Sequence, residues 1–129
     1  MTLKDGILEP DMPGFEERYW ELRCMGALFR VNHYSWWEEE LPSEKEYAEA
    51  RRNLERIDWK ADYIITHCAP SSIEDELGNG GYVHDRLTDF LEEIKEKAAF
   101  HYWLFGHYHA NKNIGKRFVL LWEQIVRVM

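Results

Sequence analysis

The chain has 129 residues, enough for one domain with a modest hydrophobic core. Hydrophobic residues make up 45% of it and aromatic residues 15%, which argues against global disorder. The net charge of −8 argues against non-specific binding to nucleic acid or acidic membranes, and two cysteines are too few for a disulfide framework. The sequence has no signal peptide or membrane-spanning run, so a soluble, cytoplasmic protein is expected.

The N-terminal segment has the composition of an extended lead-in. Residues 1–14 hold two of the four prolines and two glycines, which indicates irregular, extended backbone. A short helix is expected near the end of residues 1–25 from apolar residues at helical spacing, namely Phe15, Tyr19 and Leu22. Residues 27–31 then predict a brief strand.

The middle of the chain predicts two helices, each with a capping residue. Ser43 and Glu46 have the spacing of a capping box, in which two side chains satisfy backbone N–H groups at the helix start. The apolar stripe of this helix is Tyr47, Ala50, Leu54 and Ile57. Asp85 is expected to cap the second helix, whose apolar positions are Leu87, Phe90, Leu91 and Ile94. Residues 69–84, rich in Pro, Ser, Gly and Asn, are expected to form an irregular loop.

Short apolar runs predict the strands. Residues 62–66 and 101–105 have the composition of buried strands. Residues 111–115 predict a turn, and β runs at 117–122 and 124–128 predict two further strands. The order strand–helix–strand–hairpin favours an α/β fold in which helices cover the sheet.

Histidines follow directly on both buried strands, where open α/β sheets place their binding crevices. His67 follows the first strand, and Gly106-His107-Tyr108-His109 follows the second. In extended backbone His107 and His109 would point the same way and could share a site, with Gly106 allowing a sharp turn. Because neutral imidazole binds Zn, Fe, Mn, Ni or Co, the metal-ligand candidates are His67, His107 and His109.

The remaining candidates are weaker. His33 and His84 are weak candidates for contacts with substrate; a hydrogen-bonded or stacked role for His33 and a surface position for His84 are the simpler alternatives. His101 is expected to be structural. Cys68 follows His67, but adjacent residues on a strand point to opposite faces, so a buried structural cysteine is favoured over a nucleophile.

Two of these segments resemble motifs of the calcineurin-like metallophosphoesterases. Residues 62–70, Asp-Tyr-Ile-Ile-Thr-His-Cys-Ala-Pro, are similar to the fourth motif, an apolar strand that ends in Thr-His with a proline close behind. Residues 105–109, Phe-Gly-His-Tyr-His, match the fifth motif, Gly-His-x-His. Residues 35–43 and 87–91 also look like bacterial members, so the resemblance runs from about residue 26 onward.

The resemblance implies a single domain over residues 1–129 that forms the C-terminal half of a metallophosphatase αββα sandwich. Members of the family bind two divalent ions (Mn, Fe, Zn or similar) and hydrolyse phosphate mono- or diesters with a metal-bound hydroxide. By resemblance, His67 and His107 would be ligands of one ion and His109 of the other. The family's front motifs, Asp-x-His, Gly-Asp-x-x-Asp and Gly-Asn-His-Asp/Glu, do not occur in this sequence, so at most one ion is expected here.

Three functional hypotheses follow. In the first, the chain supplies the histidine half of a phosphoesterase site, acts on a phosphorylated small molecule or other phosphoester, and works with a complementing N-terminal half. In the second, it is a truncated, non-catalytic remnant or interaction module that forms a homodimer, because half a sandwich leaves a sheet edge and an apolar face uncovered. In the third, it is a mononuclear three-histidine hydrolase.

Overall fold

The computed structural model describes residues 6–27 and 29–128, which form a mixed α/β fold with four α-helices and two sheets. The elements are β1 (Ile7–Leu8), α1 (Phe15–Cys24), β2 (Arg30–Val31), a 3-10 turn (Glu38–Glu40), α2 (Glu44–Arg56), β3 (Tyr63–Thr66), α3 (Ser71–Gly78), α4 (Arg86–Lys97), β4 (Tyr102–Phe105), β5 (Lys112–Ile114) and β6 (Phe118–Leu120). Strands β1 and β2 pair in parallel, and the main sheet has the order β3-β4-β6-β5 with β5 antiparallel to β6. No helix in the described ranges is long and apolar enough to cross a membrane.

The N-terminal predictions are confirmed in part. Helix α1 begins at Phe15, where the short helix was expected. The strand expected over residues 27–31 is limited to Arg30–Val31. Residues 1–5 of the lead-in and Leu28 of the strand prediction lie outside the described residues.

Both predicted helix caps are present. Ser43 Oγ accepts a hydrogen bond from the Glu46 N–H, and the Glu46 carboxylate accepts one from the Ser43 N–H. Asp85 and Thr88 form the equivalent reciprocal pair at the start of α4. The apolar stripe of α2 is shorter than predicted, because Ile57 is the C-cap residue and is exposed.

Residues 69–84 are not a continuous loop, because α3 occupies Ser71–Gly78. The helix is stabilised by packing: Ile73 is buried, and Leu77, one turn later, packs against the same core. The Ser72 N–H and hydroxyl also donate to the Glu92 carboxylate on α4. The Gly and Asn residues of this segment mark only the end of the helix, where Asn79 has left-handed backbone with φ 51°.

The C-terminal strand pair lies earlier in the chain than predicted. Residues 111–115 were expected to be a turn, but residues 112–114 form β5 and pair with β6. The turn lies immediately afterwards, where Gly115 has φ 58°, a conformation that glycine adopts without strain. Residues 124–128 form no strand. The burial of Ile114 opposite Phe118 is the reason for the earlier pairing.

The main sheet buries one face far more than the other. Helices α2, α3 and α4 pack on the face that carries Trp103, Phe105, Phe118 and Leu120. Strand β4 is buried, as expected, but β3 is an edge strand whose side chains alternate between exposed and half-buried. The strand predicted over residues 62–66 is present as β3, but its predicted burial is wrong, since Tyr63 is 41% and Ile65 78% exposed.

Candidate functional site

The parallel register of β3 and β4 places two of the predicted ligands in contact. Thr66 lies opposite Phe105 at the carboxyl ends of these strands, and the Gly106 N–H donates to the His67 carbonyl at 3.0 Å. Beyond this bond, His67 Nε2 lies 2.9 Å from His107 Nδ1, with the rings tilted by 63°. The sequence separation of 40 residues is therefore closed by a single strand pairing.

A chain of hydrogen bonds holds the turn around His67. The indole N–H of buried Trp103 donates to Thr66 Oγ1 at 2.8 Å, and the Thr66 hydroxyl donates to the Cys68 carbonyl at 2.6 Å. Cys68 itself is buried, as predicted. Burial, with the nearby negative charges of Asp85 and Glu74, raises the pKa of the Cys68 thiol to about 12, so it remains protonated at neutral pH.

The sharp turn after β4 is made by histidine rather than by glycine. His107 and His109 have φ 71° and 50°, in the left-handed region that non-glycine residues rarely adopt. Gly106 does not have a positive φ, and a Cβ added there would meet only ordinary contacts, 3.6 Å from the Leu121 carbonyl oxygen. The role expected for Gly106 is therefore wrong, and the unusual backbone lies at the two candidate ligands themselves.

His109 is in contact with another ring, that of Trp122. Its ring stacks on Trp122, with centroids 5.8 Å apart and planes 14° from parallel. The Asn111 side-chain oxygen accepts a hydrogen bond from the backbone N–H of Trp122 at 2.9 Å. The extended-backbone argument for a shared site fails here because both histidines have left-handed backbone. In the part of the chain that the structure describes, no three His, Cys, Asp or Glu residues are grouped as a metal site.

The imidazole pair has the chemistry of a partial ligand set. Two nitrogens bound to one tetrahedral ion at about 2.0–2.1 Å would lie about 3.3 Å apart, close to the 2.9 Å between His67 and His107. Loss of surrounding water and the charges of His67 and Arg30 lower the pKa of His107, which favours the neutral, metal-binding form. The residues present therefore fit two ligands of one divalent ion, and the remaining ligands would come from elsewhere.

The pair opens into a cleft with a volume of about 410 Å³. Its polar lining includes three residues that the sequence analysis did not select as functional: Arg30, Glu74 and Asp85. Asp85 was recognised only as a helix cap, and Glu74 was hidden in the segment assigned to a loop. Trp36, one of the six tryptophans of the chain, lies in the wall of the cleft.

The other histidines occupy simpler positions. His33 is exposed in a tight turn, where its backbone N–H donates to the Trp36 carbonyl. His84 Nε2 lies 2.9 Å from Asp75 Oδ1. Neither contributes to the lining of the cleft. His101 is exposed and lies 3.4 Å from Asp62 Oδ1. A contact of His33 or His84 with substrate stays a prediction.

Glu74 is a buried carboxyl beneath the histidine turn. It is 6% exposed; Oε1 accepts a hydrogen bond from the Tyr108 hydroxyl at 2.5 Å, and Oε2 has no partner among the described residues. The Tyr108 hydroxyl in turn accepts from the Ala69 N–H, which links α3 to the segment between His107 and His109. Burial raises the pKa of Glu74 and, more strongly, that of Tyr108.

Glu74→Gln is expected to flatten the pH dependence of stability. Because the pKa of Glu74 is raised in the folded state from 4.5, wild-type stability should fall as pH rises from about 4.5 through the folded pKa and then level off. The amide cannot ionise, so the variant should lose this fall. Urea unfolding between pH 4 and 8 measures the difference, with the exposed Glu55→Gln as control. A wild-type slope in Glu74→Gln would contradict the prediction.

Comparison with known proteins gives no family assignment: no family model, no curated protein and no solved structure matches the chain.

Proposed function

We propose that this chain contributes two imidazole ligands, His67 and His107, to the site of a metal-dependent phosphoesterase with an αββα sandwich fold. The observation that carries the proposal is their 2.9 Å contact at the carboxyl ends of two parallel strands, in the order and spacing of the resembling motifs. The partial ligand set suits an arrangement in which carboxylate and further ligands come from a complementing segment. His109, whose ring stacks on Trp122, would be a ligand of the second ion.

The residues of the chain would have distinct roles in such a site. A divalent ion, when bound, polarises a phosphoryl oxygen and offsets the charge that develops in hydrolysis. Trp103 and Thr66 hold the His67 turn, and Glu74 holds the His107 turn through Tyr108. Since these hydrogen bonds are buried or half-buried, they fix the imidazoles before a ligand arrives.

Zinc binding tests the proposal. Titration of the purified chain with Zn²⁺ is expected to show one ion per chain, and His67→Ala and His107→Ala are each expected to weaken it at least tenfold, because each removes one of two ligands. His101→Ala is the matched control, an exposed histidine away from the cleft. Equal behaviour of wild type and both ligand variants, including absence of binding in all three, would contradict the proposal.

Activity requires the complementing part. When the chain is mixed with a second chain that carries the Asp-x-His, Gly-Asp-x-x-Asp and Gly-Asn-His-Glu motifs, Mn²⁺-dependent cleavage of an aryl phosphate should exceed that of either chain alone. The same mixture with His107→Ala should lose the gain. No gain with the wild-type chain would count against catalysis.

A second candidate function is self-association as a non-catalytic module. The specific observation in its favour is the exposed face of the edge strand β3, where Ile65 and Tyr63 face solvent. An apolar face beside an unpaired strand edge is a typical binding surface for another chain. A homodimer and a complementing N-terminal half would use the same surface, so both alternatives predict that a second chain covers β3.

A further inference from the structure

Arg30 brings a positive charge into the wall of the cleft that holds the imidazole pair. Strand β2 delivers it by pairing in parallel with β1, so that Arg30 lies opposite Ile7. Among the described residues that line the cleft, which include His67 and His107, Arg30 is the one Lys or Arg side chain. The cleft therefore has one guanidinium in its wall.

Two neighbouring side chains position the Arg30 guanidinium, but neither accepts a hydrogen bond from it. Arg30 Nη1 lies 3.7 Å from Asp85 Oδ2, an ion pair too long for a direct hydrogen bond, and Cζ lies 5.9 Å from the centre of the Trp36 ring. Within residues 6–27 and 29–128, the guanidinium N–H groups of Arg30 make no hydrogen bond to protein. These donors remain available to a ligand.

Three carboxylates line the cleft, those of Asp85, Glu74 and Glu40, and the fold engages the first two. Asp85 Oδ1 accepts from the Thr88 N–H as the cap of α4, and Glu74 Oε1 accepts from the Tyr108 hydroxyl. One oxygen of Asp85 and one of Glu74 are thus committed to positioning protein groups, and Arg30 is the group in the described lining that attracts an anion. A guanidinium fork matches the oxygens of a phosphate group, and such charge-assisted bonds are among the strongest that side chains make.

We propose that Arg30 is the phosphate-binding residue of this cleft, and that the site takes a phosphate ester with an aryl or similar planar group. The organic group would pack on the aromatic wall formed by Phe29, Trp36 and Tyr82. A volume of about 410 Å³ suits a ligand of this size. A role of this phosphate site in catalysis rests on the proposed phosphoesterase function, but binding of the ester to the site requires no metal.

The test is equilibrium binding of inorganic phosphate and of phenyl phosphate to the full chain in excess chelator, followed by calorimetry or NMR. Phenyl phosphate should bind more tightly than phosphate. Arg30→Gln should weaken both by about tenfold or more, because a charged hydrogen-bond partner is lost. Arg30→Lys keeps the ion pair with Asp85 and the charge but loses the fork, so a several-fold loss is expected. Arg51→Gln is the matched control, because Arg51 pairs with Glu93 outside the cleft.

The outcomes separate this proposal from the metal proposal. Wild-type affinity in Arg30→Gln or in a folded Arg30→Lys, an equal loss in Arg51→Gln, or no binding to the wild type in chelator would overturn the phosphate site. Equal affinity for the two ligands would overturn the aryl preference. If phosphate binding depends on Arg30 but Zn²⁺ does not bind, the anion site is supported and the proposed metal-dependent phosphoesterase function is contradicted.

Discussion

Trp103→Ala is expected to lower the free energy of unfolding by roughly 3–5 kcal/mol, the usual cost of emptying a buried aromatic site. Trp103 is fully buried, and its ring contacts both Phe100 and Phe118 in the middle of the helix-covered face. The side chain also satisfies Thr66 through its indole N–H. Because domains of this size have total stabilities of about 5–15 kcal/mol, this loss is a large share of the total and should lower the denaturation midpoint markedly. Chemical denaturation followed by circular dichroism measures the loss.

Two milder variants separate packing from the hydrogen bond. Trp103→Phe keeps an aromatic ring but removes the donor to Thr66, and Thr66→Val removes the acceptor and the bond to the Cys68 carbonyl. Both should cost less than the alanine variant. Both should also weaken Zn²⁺ binding, because the turn that carries His67 loses its support. Undiminished stability in Trp103→Ala would show that the core on this face is not organised as described.

The helix caps and the main strand pairing could be predicted because their signals are local. Ser43 with Glu46 and Asp85 with Thr88 cap their helices through residues three positions apart, and each pair satisfies backbone N–H groups at the helix start. The approach of His67 to His107 likewise follows from two apolar runs that pair in parallel. Here the periodicity of the sequence and the fold agree.

Helix α3 and strand β5 were missed because tertiary contacts outweigh their local composition. The Gly- and Ser-rich segment becomes helical where Ile73 and Leu77 can be buried and where Glu92 of α4 accepts from Ser72. Strand β5 forms because Ile114 is buried opposite Phe118. Glu92 lies 20 residues from Ser72, so a propensity argument had no access to that contact, whereas Phe118 lies just across the turn at Gly115 from Ile114.

The candidate site was predicted where single strands determine it and missed where loops meet. His107 and His109 were expected to point the same way in extended backbone, but both have a left-handed φ, and the His109 ring stacks on Trp122. Arg30 and Glu74 reach the cleft from β2 and α3, and no spacing rule relates them to the histidines. The polar wall of the cleft thus depends on packing between distant segments.

Ile65→Lys is the other substitution with a large expected effect, because it should prevent self-association through the exposed face of β3. Ile65 is 78% exposed on a strand that pairs with β4 on one side and with no other described strand on the other. Burial of such a side chain in an interface contributes about 1.5–3 kcal/mol, so a lysine there should weaken association at least tenfold. Sedimentation equilibrium is expected to show a wild-type mass that rises with concentration, and a monomer for Ile65→Lys over the same range.

The matched control for Ile65 is Ile57→Lys. Ile57 is also exposed, at 48%, but it lies at the C-terminal end of α2, away from β3. The control adds the same charge outside β3, so it should associate like the wild type if the effect of Ile65→Lys is specific to that strand. Equal loss in the two variants would assign the effect to net charge, and a wild type that stays monomeric without binding an apolar dye would remove the basis for the homodimer. If instead only the complementing N-terminal chain suppresses dye binding, and Ile65→Lys prevents it, the open face belongs to the assembled phosphoesterase.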